Sequence, residues 1–274
     1  MVHNLLIIGK KSFLAKSLKK NISIPYKLVS FEDFLEKKNK YLKKFTHIIN
    51  LTSNSKFVLN KYNSKNDHDF IIANRIKKLN LVFILISTRK IYKVKPNIKE
   101  TDKLEPKCNY SKNKLLAEKK TMNILKSNYL ILRLSNILGF ESTTKRKLHY
   151  TFMDRFLASV KKNIIYKNPG VFKDFLSASM FVKILNKLIR LNSKGIYNVS
   201  FGKKVYLDKI LNWLNYYNTN KVNKVEFKKT NILDNQDSFF LNNYKLNKEI
   251  NLNFNLKTLE IDCKKISKKI FHEK

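Results

Sequence analysis

Arginine, cysteine, glycine and acidic residues are all scarce in this chain, and the scarcities close off several readings. Two cysteines in 274 residues, Cys108 and Cys263, cannot build a disulfide framework. The five histidines stand apart from one another, so no Cys/His cluster of metal-ligand spacing exists and no metal is expected. The longest clean apolar run, LVFILI at 81–86, is far too short to cross a bilayer, and Met1 runs almost directly into LLIIG without secretory signal architecture. A reducing cytoplasm is the simplest expected location. Only six of the 57 basic residues are arginine, so almost all of the +37 formal charge is lysine. The planar guanidinium fork that favours phosphate and base recognition is therefore nearly missing. The lysines are scattered along the whole length among Asn and Ile, as an A/T-biased genome would produce. They read as a solvated surface, with neither nucleic acid nor membrane as a partner, although the charge favours an anionic small substrate.

What is present suffices for a core. A chain of this length, 43% apolar and 12% aromatic, buries a substantial interior as one large domain or two closely joined ones. NLLIIG (4–9), YKLVSF (26–31), THIINL (46–51), LVFILI (81–86) and YLILRL (129–134) have strand length and aliphatic or β-branched content. Their continuous apolarity suggests strands covered on both faces. Between them SFLAKSLKK, FEDFLEKKNKYLKK, DHDFIIANRIKKL and SKNKLLAEKKTMNILK carry apolar residues at helical spacing. The expected fold class is α/β, a doubly wound parallel sheet of Rossmann type, with its ligand at the carboxyl ends of the strands.

Two stretches carry the chemistry. Gly9 closes the first strand and KKSFLAKSL opens a helix, so Gly9, Ser12 and Ala15 take the three-residue spacing at which a dinucleotide loop usually has glycines. Small residues there let the backbone approach a pyrophosphate at a helix N-terminus, and a plain strand-to-helix turn is the alternative. In YSKNKLLAEK (110–119), Tyr110 stands four residues before Lys114, a spacing repeated by Tyr217 with Lys221 and by Tyr244 with Lys248. Location separates them. Tyr110 follows a strand ending in Ser87 and Thr88 and a loop containing Pro96 and Pro106, and starts a helix on which Lys114 lies one turn along the same face.

The order LLIIGKKSFLAKSL, THIINLTSN, FILISTRKIY, ETDKLEPKCNYSKNKLLAEK and LILRLSNILGF resembles the extended short-chain dehydrogenase/reductase family, in its branch of nucleotide-sugar epimerases, dehydratases and reductases. FKDFLSASMFVKIL, GIYNVSFGKKVYLDKIL and SFFLNNYKLNKEINLNF extend the likeness over nearly the whole chain. The resemblance implies a dinucleotide-binding domain over residues 1–140 with a returning segment near 172–200, and a smaller substrate-binding domain from 141–171 and 201–274. It implies NAD or NADP as cofactor, a nucleotide-sugar of cell-surface polysaccharide synthesis as substrate, and Tyr110 as general acid or base. A phenol near its free pKa of about 10 is a poor base, and the Lys114 ammonium would favour its phenolate form while bonding the nicotinamide ribose. Thr88, with Ser87 second, would bond the reacting oxygen. Gly9, Ser12, Phe13, Leu14, Ala15, Ser30, Leu51, Thr52, Ser87 and Leu134 would join Tyr110 and Lys114 in holding the cofactor. Thr88 and Asn136 would meet the substrate.

Departures from the family pattern narrow the reaction. The acidic pair that follows the threonine in the 4,6-dehydratases is replaced by Arg89 and Lys90, so 4-epimerisation or 4-keto reduction remains. The cysteine of the GDP-fucose-forming reductase-epimerases is missing there too, and His149, near the place of their histidine, reads as an ordinary loop residue. Arg146 and Arg155 lie where cations would meet a diphosphate. The second strand ends in Ser30 and Phe31, with Glu32 and Asp33 displaced into the next helix. Loss of the ribose acid, with Lys10 and Lys11 nearby, leans toward NADP. Subunit number is left open by the sequence, although the family often pairs through helices that include the one bearing its tyrosine, which makes a homodimer one expectation. A non-catalytic relative that keeps the fold is the rival hypothesis, and a basic nucleic-acid binder rests on net charge alone.

Overall fold

All five apolar runs form strands, and the alternation of their side chains shows why they are apolar throughout. In the computed structural model, which describes residues 3–140, 151–167, 170–219, 224–227, 238–252 and 254–272, these are β1 (Leu5–Ile8), β2 (Tyr26–Val29), β3 (His47–Asn50), β4 (Val82–Thr88) and β5 (Tyr129–Leu134). Leu5 and Ile7 of β1 enter one core cluster with Ile49, Val82, Ile84, Leu130 and Leu132, while Leu6 and Ile8 enter a second with Ile48, Phe83, Leu85 and Ile131. Both faces of the sheet are therefore dry, as a parallel sheet between two helical layers requires. A later strand, β10 (Gly195–Val199), pairs with β5 and completes a six-stranded parallel sheet in the order β10-β5-β4-β3-β1-β2.

The first cluster is covered by α1 (Phe13–Asn21), α7 (Phe152–Lys161), α8 (Ala178–Arg190), α9 (Leu207–Leu214), α10 (Tyr244–Ile250) and α11 (Leu256–Phe271). The second lies under α2 (Phe31–Glu36), α3 (Asn39–Leu42), α4 (Ser55–Leu59), α5 (His68–Ile76) and α6 (Asn109–Leu125). Short strands outside the sheet pair locally: β6 (Asn136–Leu138) with β9 (Phe175–Ser177), β7 (Ile164–Lys167) with β12 (Lys224–Phe227), and β8 (Phe172–Lys173) with β11 (Val205–Tyr206). No helix among the described residues is long and apolar enough to cross a membrane.

One expected helix is divided. FEDFLEKKNKYLKK forms α2 and α3 with extended backbone at Lys37 and Lys38 between them. A continuous helix would stack lysines 37, 40, 43 and 44 at three- and four-residue intervals, where like charges repel. The break also lets both Phe34 and Leu42 reach the core.

The sheet order sets the ligand position. The chain goes from β1 outward to β2 and then returns to β3 on the other side of β1, so a crevice opens at the carboxyl ends of β1 and β3.

Candidate active site

Helix α6 presents its residues to the carboxyl edge of the sheet because both ends of its first two turns are fastened. The Ser111 hydroxyl donates to the Cys108 carbonyl (3.0 Å) and accepts from the Cys108 N–H (3.2 Å), shaping the helix start. Asn113 Nδ2 donates to the carbonyls of Phe57 and Asn60 at 2.7 and 2.9 Å, pinning α6 to α4. Tyr110, Lys114 and Glu118 then recur at four-residue spacing along one stripe. The half-buried Tyr110 hydrogen-bonds the Thr88 hydroxyl at the end of β4. Thr88, Tyr110 and Lys114 are thus brought together where β4 meets the start of α6.

Lys114 has a partner that the sequence did not announce. Its Nζ lies 2.9 Å from Asp69 Oδ2, with the two side chains only 9% and 4% exposed. Asn50 Nδ2, at the end of β3, donates to the other oxygen, Oδ1, at 2.6 Å. Asn50 Oδ1 accepts from the Thr52 N–H (2.9 Å) and hydroxyl (2.7 Å), and the same hydroxyl oxygen is 2.7 Å from His68 Nδ1. Since Thr52 has one proton to give and Asn50 takes it, His68 Nδ1 is the donor in that pair. The His68 ring stacks on Phe31 at 3.6 Å and 7°. A connected row therefore runs from the Tyr110 side of the crevice to an aromatic pair near the ends of β2 and β3.

Electrostatics follow from this packing. Burial disfavours the Lys114 charge, but Asp69, helped by Tyr110 and Asp67, more than reverses it and holds the ammonium above the usual lysine range. Burial raises the Tyr110 phenol; the Lys114 charge and the Thr88 hydrogen bond lower it, Asp69 raises it, and the net position is above an ordinary tyrosine. Lys114 therefore pulls the phenol toward its charged form, while burial, with Asp69 behind it, outweighs that pull. Asp67 is pushed up to about 6 by burial and by Asp69.

At the crevice, Gly9 has φ +112°, and a Cβ there would fall 2.8 Å from Thr52 Cγ2 and 3.0 Å from the Leu51 carbonyl carbon. Glycine is what lets the end of β1 close on the end of β3. The Ser12 N–H donates to Gly9 O at 3.0 Å, and Ser12 Oγ caps α1 by accepting from the Ala15 N–H at 3.0 Å. The amides of Phe13 and Leu14 have no intrahelical carbonyl to bond and sit at the positive end of the helix dipole. A helix N-terminus of this kind is chemically suited to an anion. Leu14 and Ala15 themselves pack in the core, so what they offer is backbone. A Cβ on Gly139 would lie 2.1 Å from the Phe13 ring, so the ring rests on that glycine.

Several expected residues are otherwise engaged. Ser30 caps α2, exchanging hydrogen bonds with Asp33, whose Oδ2 also takes Lys10 Nζ at 3.1 Å. These bonds, Ser30 first and then Lys10, hold the Asp33 carboxyl at about 2. Ser87 is buried and donates to Glu118 Oε1, facing away from Thr88 as strand alternation dictates. Glu118 in turn receives the Arg133 fork, with Nη2 at 2.7 Å, and Arg133 Nη1 donates to Tyr92 Oη at 2.6 Å. Leu134 is buried at the end of β5 in the first core cluster, and Leu51 packs against it. Asn136 Nδ2 donates to the Asp174 carbonyl at 3.0 Å, tying β6 to β9. Arg155 is exposed on α7; Arg146 and His149 lie outside the described residues.

The fold is that of the extended short-chain dehydrogenase/reductases, as the order of motifs implied. Among solved structures, the chain is similar to UDP-N-acetylglucosamine 4-epimerase from Methanobrevibacter ruminantium M1 in complex with UDP-N-acetylmuramic acid, at 15% identity and TM-score 0.79, covering 99% of both chains. It is similar to dTDP-glucose 4,6-dehydratase from Bacillus anthracis in complex with NAD, at 13% identity and TM-score 0.73, over 99% of this chain and 97% of that one. The dTDP-4-dehydrorhamnose reductase from the same organism in complex with NADP gives 16% identity and TM-score 0.71, over 97% and 99%. No family model and no curated protein matches the sequence.

Proposed function

We propose that this chain is an NAD(P)-dependent nucleotide-sugar 4-epimerase or 4-keto-sugar reductase with Tyr110 as its acid/base. The observation that carries the reading is the meeting of Thr88, Tyr110 and Lys114 at the carboxyl end of β4, beside the cradle formed by Gly9 and the start of α1. Solved structures of this fold include an epimerase, a dehydratase and a reductase of nucleotide-sugars, two of them holding NAD or NADP. Bound dinucleotide would supply the two-electron oxidation or reduction of a sugar carbon. Tyr110 Oη would take or give the proton on the sugar oxygen, and the Thr88 hydroxyl would hold that oxygen by a hydrogen bond. Lys114 would stabilise negative charge on Tyr110, while the Phe13 and Leu14 amides hold the diphosphate and Leu51 and Thr52 line the adenosine side. Dehydration lacks an agent, since Thr88 is followed by Arg89, whose guanidinium lies 3.6 Å from the Phe239 ring centre, and by Lys90.

A non-catalytic dinucleotide-binding relative is the second reading, favoured by the engagement of Lys114 with Asp69 and of Ser12 with its own helix. Titration with NAD, NADH, NADP and NADPH, followed by calorimetry or nicotinamide fluorescence, tests both. Saturable binding of one cofactor is expected. Tyr110→Phe should bind it equally well and lose turnover of nucleotide-sugars by roughly a hundred- to ten-thousand-fold. Binding with unchanged turnover in that variant removes Tyr110 from the chemistry, and no binding at all removes the dinucleotide.

A further inference from the structure

The peptide that follows Thr88 carries two adjacent cations, and the first is an arginine in a chain that uses lysine almost everywhere else. Thr88 Oγ1 accepts the Lys90 N–H at 3.2 Å, and the tight turn Arg89–Ile91 keeps both residues close to the hydroxyl that bonds Tyr110. The Arg89 guanidinium lies 3.6 Å from the centre of the Phe239 ring, which is fully buried. That ring is fixed in its turn, because the Phe239 N–H donates to the Phe172 carbonyl and the Ser238 hydroxyl accepts from the Phe172 N–H, both at 3.3 Å. A lysine would have supplied charge alone here. A guanidinium held against a ring supplies a planar fork of donors whose spacing matches the two oxygens of a carboxylate.

Further positive charge gathers around this turn. Lys173 follows Phe172 on β8, and Arg155 comes from α7. Burial first, and then the charges of Arg89, Arg155 and Lys173, hold the half-buried Lys90 ammonium below its usual range, with Cys108 acting in the opposite sense. Cations brought together at the end of a strand beside Thr88 and Tyr110 suit an anionic group on the substrate. The chemistry of a nucleotide-sugar says which one. Its diphosphate hangs on carbon 1, at the opposite end of the ring from the carbon-4 oxygen that Thr88 would hold. An anion within reach of the peptide after Thr88 therefore belongs to a carbon next to the reacting one, as does the carboxylate of a uronic acid.

We infer that the substrate is a nucleotide-linked uronic acid, and that Arg89, seated on Phe239, distinguishes its carboxylate from the hydroxymethyl group of a neutral sugar. This inference rests on the proposed reading of Thr88 and Tyr110 as the groups on the carbon-4 oxygen. The overall field of a chain with a formal charge of +37 attracts any added negative charge, but one substitution scarcely alters that field. Loss of the Arg89 fork, by contrast, removes the discrimination.

Calorimetry with UDP-glucuronic acid and UDP-glucose, at about 0.15 M NaCl and with dinucleotide present, reads this as a ratio of dissociation constants. The acidic sugar is expected to bind roughly tenfold more tightly than the neutral one, as a charge-assisted fork allows. Arg89→Gln should bring the ratio close to one by weakening the acidic sugar. An Arg89 that only supports the fold would weaken both sugars alike and leave the ratio standing, and that result overturns the inference. So does a wild-type protein that binds the two equally, prefers UDP-glucose or binds neither. Should Arg89→Gln not fold, Arg89→Lys decides, since it keeps a cation on Phe239 and loses the fork: most of the preference should vanish, and an undiminished ratio overturns the role of Arg89. Equal sugar affinities alongside normal dinucleotide binding defeat the acidic substrate alone. Absence of dinucleotide binding defeats the proposed function, and this inference with it.

Discussion

At the scale of single residues, burial decides which groups respond to pH. His47 on β3 is fully buried, and burial, followed by the charges of His3 and Lys194, pushes it down to about 4 from 6.5. The folded protein keeps it neutral where the unfolded chain takes a proton, so its contribution is complete above about pH 6.5 and is lost as pH falls toward 4. We expect about 3 kcal/mol less stability across that window, measured by urea unfolding, and a flatter profile in His47→Gln. The same scale shows what could be read from the letters. Gly9, Thr88 and Tyr110 belong to short patterns with fixed spacing. Asp69 does not: its partner Lys114 is 45 positions away, and an acid in the first turn of a helix looks like ordinary dipole compensation. Asn50, at the end of an apolar strand, gave no signal either.

At the scale of elements, the strands were plain from continuous apolar runs, while their lateral ties were not. β5 is joined to α6 by the Arg133–Glu118 pair, with side chains 3% and 0% exposed, and onward through Tyr92 to Asn198 on β10. In the sequence Arg133 is one charge inside YLILRL, and nothing local names its partner. Removing one member leaves a buried charge unpaired, so Glu118→Gln should cost roughly 3–5 kcal/mol. The double variant Glu118→Leu/Arg133→Met should recover much of that loss. Chemical denaturation of both variants checks the order, and equal losses would show that the unpaired charge is not what hurts.

At the scale of the whole molecule, composition understates the charge imbalance of the surface. Of the 20 acidic residues, Asp67, Asp69, Glu118, Asp154 and Asp174 are buried, so the outer shell carries fewer anions against its lysines than the sequence suggests. Self-repulsion of this kind is screened by salt. Raising NaCl from about 0.02 M to about 0.2 M should stabilise the protein by on the order of 1 kcal/mol, a rise of a few degrees in Tm. Scanning calorimetry at the two concentrations would read it, and a flat response would mean that local ion pairs already balance the surface.

The late arrival of β10 bears on how the chain is made. A ribosome that has released residue 140 has delivered five of the six strands of the main sheet, yet β5 still has an open edge and Tyr92 still lacks Asn198. Some sixty further residues must emerge before that edge is paired, and contacts of such long range form slowly. The nascent amino-terminal half is therefore a sticky intermediate rather than a finished domain, and the protein's most exposed moment comes during its own synthesis.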